Sequence, residues 1–237
     1  MINVMLKSGE QYSFIKRNSV ELVHGRGTYG NGSIDWEKEQ ISLAEIAQQT
    51  NQEGVLAAEV NGRLLPLEAT ITKDCVINFI TSADPQGQEI IHRTGMFFLA
   101  YGFSLIPKKL QRLGGGVEQD KIYYDFVLPK DEVLTNDDLK AAEAVILQLL
   151  KNSRTIMLRK LPYFTVIKNL SALSEDYMIR SIVEHDDGGP VEMNVSGDFY
   201  ELSHGLLLRD ASIIRMIKLL GLERTEMGYR VYAEVWI

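Results

Sequence analysis

The sequence predicts an α+β chain in two parts, and three features carry the prediction. Short hydrophobic runs with a period of two crowd the first eighty residues. Longer stretches with helical period alternate with further strand-like runs after about residue 88. Between them lies "SADPQGQEI", a polar stretch carrying proline and glycine, which marks a boundary. A chain of 237 residues that is 45% hydrophobic can bury a core in each part. The expected domains are residues 1–82 and 88–237.

Residues 2–6 and 11–15 read as a hairpin around "KSGE", with Gly9 supplying the turn. "HGRGTYGNGS", His24 to Ser33, invites comparison with a phosphate loop. It lacks a Gly-Lys-Ser/Thr ending and no apolar strand leads into it, so a flexible loop is expected. "ISLAEIAQQT" places Ser42 and Glu45 as a capping box before a short helix. "VLAAEVNGRLLPLEATI" predicts a hairpin across Asn61-Gly62, the dipeptide best suited to paired positive φ angles. "KDCVINFI" closes the first part as a strand.

The second part opens with "EIIHRTGMFFLAYGF", a helix through about Leu105, followed by a basic bend "PKKLQRLGGGVEQD" and an aromatic strand "KIYYDFVL". "TNDDLKAAEAVILQLLKN" predicts a helix capped by Thr135, with Asp137 and Asp138 at its positive end. Leu139, Ala142, Val145, Ile146 and Leu149 form its apolar stripe. A helix opening at a proline, "PYFTVIKNLSAL", comes next. The remainder, from "YMIRSIVE" through "YRVYAEVWI", is expected to be rich in strands.

Charge and composition narrow the function. A formal net charge of −7 argues against a generic polyanion binder, so any RNA contact must be local. Lys108, Lys109 and Arg112, and Arg154, Arg159 and Lys160, are candidate phosphate contacts, although charge runs in loops are most often solvated. Of Tyr123 and Tyr124, either of which can stack on a base, strand periodicity turns one inward. The single cysteine, Cys75, cannot form an internal disulfide, which fits a cytoplasmic location. The N-terminus lacks the pattern of a signal peptide, and no run approaches the roughly eighteen apolar residues of a membrane span.

His92 has Met96, not a second histidine, one helical turn on, so this face cannot grip zinc in the usual way. His92, Asp198, Glu201, Ser203 and His204 are the candidates for orienting a water, because a histidine beside a carboxylate can act as general base. The plainer reading makes Asp198 a turn residue and His92 and His204 polar residues at a cleft edge. His24 and His185 are expected in solvent, and Ser203 has no nucleophile elbow around it.

These segments carry a resemblance. "AAEVNGRLLPLEATITKDCVINFIT" resembles the TGS domain of threonyl-tRNA synthetases. "GQEIIHRTGMFFLAYGF", "IYYDFVLP" and "SGDFYELSHGLLL" are similar, in order, to the second additional or editing domain of the same family. The resemblance covers nearly the whole chain, apart from the glycine-rich insert. It implies a β-grasp-like TGS domain followed by an α+β editing domain. In that family the helix carries His-x-x-x-His and the region after the "GDF" turn carries Cys-x-x-x-His.

Alignment on Glu89-Ile90, Ala100 and Gly197-Asp198-Phe199 puts Arg93 and Phe97 at the first pair and Ser203 and Leu207 at the second. Phenylalanine and leucine offer no lone pair, and a protonated arginine cannot ligate a metal. The resemblance therefore implies a degenerate site with no metal and no cofactor, at which Arg93, Phe97, Tyr124, Asp198, Ser203 and His204 are the binding candidates. "RTGMF" is also similar to the Arg-Ser-x-x-Phe of some bacterial uridine kinase-like proteins, which carry such a pair ahead of a kinase domain.

No Gly-x-x-x-x-Gly-Lys-Ser/Thr occurs here, so phosphate transfer by this chain alone is not expected. The function expected is a non-catalytic binding or regulatory module. Its partners would be tRNA, an anionic small molecule, or a kinase or synthetase domain in cis or in trans. The alternatives are the N-terminal part of a nucleoside kinase-like protein and a trans-acting aminoacyl-tRNA deacylase with an unorthodox site.

Overall fold

The computed structural model describes residues 2–14, 40–152, 155–184 and 189–237. The glycine-rich stretch with His24, and Arg154 and His185, lie outside the described residues. The chain is α+β and divides into two compact units, Met1–Gly87 and Gln88–Ile237.

In the first unit, β1 (Ile2–Leu6) and β2 (Gln11–Phe14) form the expected hairpin. A short strand β3 (Ile41–Ser42) leads into α1 (Leu43–Gln49). The Ser42 hydroxyl accepts from the Glu45 amide at 3.2 Å, and the Glu45 carboxylate accepts from the Ser42 amide at 2.9 Å, so the capping box is complete. Strands β4 (Val55–Val60) and β5 (Arg63–Leu65) turn at Asn61 and Gly62, with φ of 49° and 83°. That pair of positive angles is what a type I′ turn requires. β6 (Thr70–Ile71) pairs with β3, and β7 (Cys75–Thr81) enters the main sheet, of order β2-β1-β7-β4-β5 with β1 and β7 parallel. Leu43 and Ile46 of α1 are fully buried in one cluster with Val4, Ala58 and Ile77.

The polar stretch between the expected domains is not a free linker. The Asp84 carboxylate accepts from the amide and hydroxyl of Thr81 at 2.7 and 2.9 Å, and α2 (Pro85–Ser104) begins at once. Proline suits the first helical position because its missing N–H would have no intrahelical partner there.

In the second unit, α2 lies against the sheet β13-β14-β9-β8, made of β8 (Gln111–Glu118), β9 (Lys121–Val127), β13 (Met216–Arg224) and β14 (Tyr229–Trp236). Gly95 of α2 sits against Val235 and Ile122, and the rings of Phe103 and Phe126 are 4.8 Å apart. The basic stretch expected as a bend is thus largely strand β8. It holds because "QRLGGGVE" pairs with "KIYYDFV" across a bulge between Arg112 and Gly114. α3 (Asn136–Asn152) is capped as expected, Thr135 accepting from the Asp138 amide at 3.3 Å. It buries Leu139, Ala142, Ile146 and Leu149, and also Leu150; Val145 is only half-buried.

A second sheet, β10-β11-β12, comprises β10 (Met157–Leu161), β11 (Val191–Ser196) and β12 (Phe199–Leu202). It shares a core with α4 (Tyr163–Ala172) and α5 (Asp176–Glu184), in which Val166, Leu170, Met178, Ile182, Met193 and Val195 are buried. "YMIRSIVE", expected among strands, is helix α5. Met178 and Ile182 stand one turn apart on its buried face, a helical spacing that outweighs its β-branched residues.

Phe126 is fully buried between Phe103 and Tyr124, whose rings lie 4.8 and 5.0 Å away. Phe126→Ala is expected to destabilise the chain by about 3–5 kcal/mol, read from urea unfolding midpoints at unchanged slope.

Candidate functional site

Helix α2 presents Glu89, Arg93 and Phe97 at intervals of four, so the three lie on one face. Beyond β12 the chain runs back across this face and is held there by Thr94. Its buried hydroxyl donates to the Ile90 carbonyl at 2.7 Å and accepts from the Leu208 amide at 3.0 Å. At Gly205, with φ of 137°, the backbone lies against the Arg93 guanidinium, and a Cβ there would collide with it.

A cavity of about 320 Å³ remains between α2, this return segment and the glycines of β8. A Cβ at Gly115 would meet the Tyr123 carbonyl, the Tyr124 ring and the Met96 sulfur, so glycine at that position keeps this wall of the cavity clear.

Of the expected binding residues, Arg93, Phe97, Tyr124 and His204 line this cavity together, as does Leu207. Asp198 does not join them. It lies in the turn between β11 and β12, at the far end of β12 from His204, and lines a larger cavity beside Tyr101. The expectation that Arg93, Asp198 and His204 converge is therefore corrected by the length of that strand. Ser203 lines neither cavity; its amide donates to the Glu192 carbonyl at 3.0 Å and continues the pairing with β11. His92 also lines neither.

The charges are mostly committed. Arg93 pairs with Glu89 at 2.6 Å on the cavity rim. Arg112, read from sequence as a residue of a solvated bend, is only 3% exposed. Its Nε meets Glu175 at 2.7 Å, its Nη1 meets Glu201 at 2.6 Å and the Tyr200 carbonyl at 2.8 Å, and its guanidinium lies 4.5 Å from the Phe199 ring centre. The other Glu201 oxygen accepts from the Tyr124 hydroxyl at 2.8 Å.

Glu201 lines the cavity with both oxygens engaged; burial raises its pKa, while Arg112 and the Tyr124 hydroxyl pull it back down. Burial pushes the Tyr124 phenol well above its ordinary value, and Glu201 adds to the shift. The network of Arg112, Glu175 and Glu201 was not foreseen. Its sequence signal is an arginine and a leucine ahead of three glycines, which predicts a close backbone approach and names no partner.

Burial lowers the His204 pKa, and the positive charge of Arg93 lowers it further; burial likewise lowers that of His92. Among the described residues, no group of three or more His, Cys, Asp or Glu side chains is placed to hold a metal ion. Lys108 bonds the Val133 carbonyl at 3.1 Å and approaches Asp138 at 3.7 Å, and Lys160 pairs with Glu192 at 2.9 Å. No helix among the described residues is long and apolar enough to cross a membrane.

Fold and cavity together describe an α+β chain whose second unit carries a small cleft lined by a histidine, an arginine and aromatic rings. Over most of its length it is similar to threonine–tRNA ligases. It is 26% identical to that of Rickettsia rickettsii over 221 residues, 88% of this chain and 34% of the ligase. It is 28% identical to that of Methylococcus capsulatus over 207 residues, 83% of this chain and 32% of the ligase. Against that of Clostridioides difficile it is 27% identical over 214 residues, 85% of this chain and 33% of the ligase. The chain thus spans about a third of the length of these curated relatives, and the similarity supports derivation from such a ligase. No family model matches the chain.

Two expectations follow. Because a lowered pKa favours neutral imidazole in the folded state, His204 contributes stability that is full above the ordinary value near 6.5 and is lost as pH falls through the lowered one. In Arg93→Ala, a histidine NMR titration should show the His204 pKa rising but staying below 6.5, since burial is the larger cause. An unchanged value would place Arg93 away from the imidazole. Second, Glu175→Ala, which strips Arg112 of one buried partner, should cost about 3–5 kcal/mol in chemical unfolding.

Proposed function

We propose that this chain is a non-catalytic binding or regulatory module derived from the TGS-plus-editing pair of a threonyl-tRNA synthetase. Residues 1–82 correspond to the β-grasp-like TGS domain and residues 88–237 to the editing domain. The observation that carries this reading is the set of side chains at the positions where the resemblance implies histidines and a cysteine. Arg93, Phe97 and Leu207 line one cavity, and Ser203 lies just outside it. None of the first three can ligate a metal or take a proton from water at neutral pH.

Such a pocket holds a ligand without cleaving it. Arg93 offers a carboxylate or phosphate a charge-assisted contact, neutral His204 a hydrogen bond, and Phe97 and Tyr124 apolar surface. The ligand is an anionic small molecule or the end of a tRNA, and a kinase or synthetase domain is the partner this class of module would serve.

A second reading has an observation in its favour. The two hydrogen bonds of Thr94 need only a hydroxyl, so a serine there would hold Leu208 equally well. "RTGMF" thereby keeps the chemistry of the Arg-Ser-x-x-Phe found in uridine kinase-like proteins. A phosphate-binding Gly-x-x-x-x-Gly-Lys-Ser/Thr in the same reading frame downstream would decide for it.

The test of the main reading is a deacylation assay with seryl- and threonyl-tRNA. No turnover above buffer is expected, together with weak, salt-sensitive binding that Arg93→Ala reduces by about 1.5–3 kcal/mol. Turnover abolished by His204→Ala or Glu201→Gln would mean that the cleft has kept its chemistry with new residues. Elemental analysis of protein purified without chelators should find no stoichiometric zinc.

A further inference from the structure

We propose that the larger cavity of the second unit is a separate ligand site that takes an amphipathic monocarboxylate, an apolar body bearing one anionic group. It encloses about 770 Å³, within the range of small-molecule pockets, and it lies on the other side of Phe199 from the cleft described above. Its floor is the Tyr101 ring stacked on Phe199, with centres 4.5 Å apart and planes 8° from parallel.

Two leucines from different elements stand at its mouth: Leu105, just past α2, is 53% exposed, and Leu173, at the end of α4, is 56% exposed. Large apolar side chains converging in water around one opening are what an apolar ligand would cover. The residue after Leu173, Ser174, holds a left-handed φ of 58°, a conformation that costs energy in a residue other than glycine.

The charge of the ligand follows from what the cavity has left uncommitted. Arg112 is consumed by Glu175 and Glu201, and Lys108 by Asp138 and the Val133 carbonyl. Lys109 is exposed on the cavity wall and has no ion-pair partner among the described residues. One cation is therefore available to one anion. Asp198, exposed on the same cavity, repels negative charge not held at Lys109, so each further anionic group, as in polyphosphates and dicarboxylates, is disfavoured.

The site rests on none of the residues used for the smaller cleft, and its test is independent of the reading given there. Indole-3-acetate, an apolar ring system with one carboxylate, is titrated into the whole isotope-labelled chain and followed by amide NMR, with tryptamine as the control of opposite charge. Shifts are expected in residues 104–110, 127–129, 172–175 and 198–200, with none from tryptamine. Lys109→Glu should weaken binding about tenfold, the worth of one partly screened charge-assisted contact, and Leu173→Asp should do the same through the apolar wall. Both positions are exposed, so an otherwise unchanged spectrum verifies the fold of each variant. Absence of shifts at millimolar ligand, equal binding of tryptamine, undiminished binding to Lys109→Glu, or shifts confined to residues 89–97 and 204–207 would each overturn the proposal.

Discussion

The second unit depends on a single buried guanidinium. Arg112 begins on β8, the edge of one sheet, and reaches the Tyr200 carbonyl and Glu201 on β12, the edge of another, while Glu175 ahead of α5 holds both its side chain and its backbone amide. Two sheet edges are thereby joined through a side chain where no strand pairing connects them. An unpaired charge at this depth would be costly, so in the native state each of the three elements depends on the other two. The Phe199 ring, stacked on Tyr101 and set edge-on to Phe97, closes the same junction from the apolar side.

Both cavities follow from that junction. Where Arg112 binds the edges together there is no room for a ligand. Past the bulge, β8 continues as glycines and the edges separate over α2. On the opposite side of Phe199, the chain leaving α2 and the α4–α5 junction enclose the larger space. The hairpin of β11 and β12 thus contributes to two walls, placing Asp198 at one and His204 near the other. One stretch of thirteen residues that reads as a single motif is divided between two environments.

The fold was legible in sequence wherever local chemistry decided it. The capping box at Ser42, the turn at Asn61-Gly62 and the stripe of α3 need only neighbouring residues, and each formed as the pattern implies. β8 was misread because its glycines have no strand propensity of their own; pairing with β9 makes the strand. α5 was misread because isoleucine and valine suggested sheet, while its burial comes from α4 and β11.

At the site, Arg93, Phe97 and His204 could be placed together because helix spacing and a resemblance in order both pointed to them. Asp198 could not be separated from His204 without knowing that β12 runs straight between them. Arg112 was hidden for a more general reason. An arginine in a polar stretch reads as solvated, and only contacts 63 and 89 residues away reveal that it is buried.

The pairing of Arg93 with Glu89 bears on what the smaller cleft can select. The guanidinium already holds one carboxylate, and an anion that takes the same donors must exchange with Glu89 one helical turn away. The free energy available is then the difference between two acceptors. A group that merely equals Glu89 gains almost nothing, while one that spans the planar face of the guanidinium with two oxygens gains more. Such a cleft ranks ligands by geometry as well as by charge.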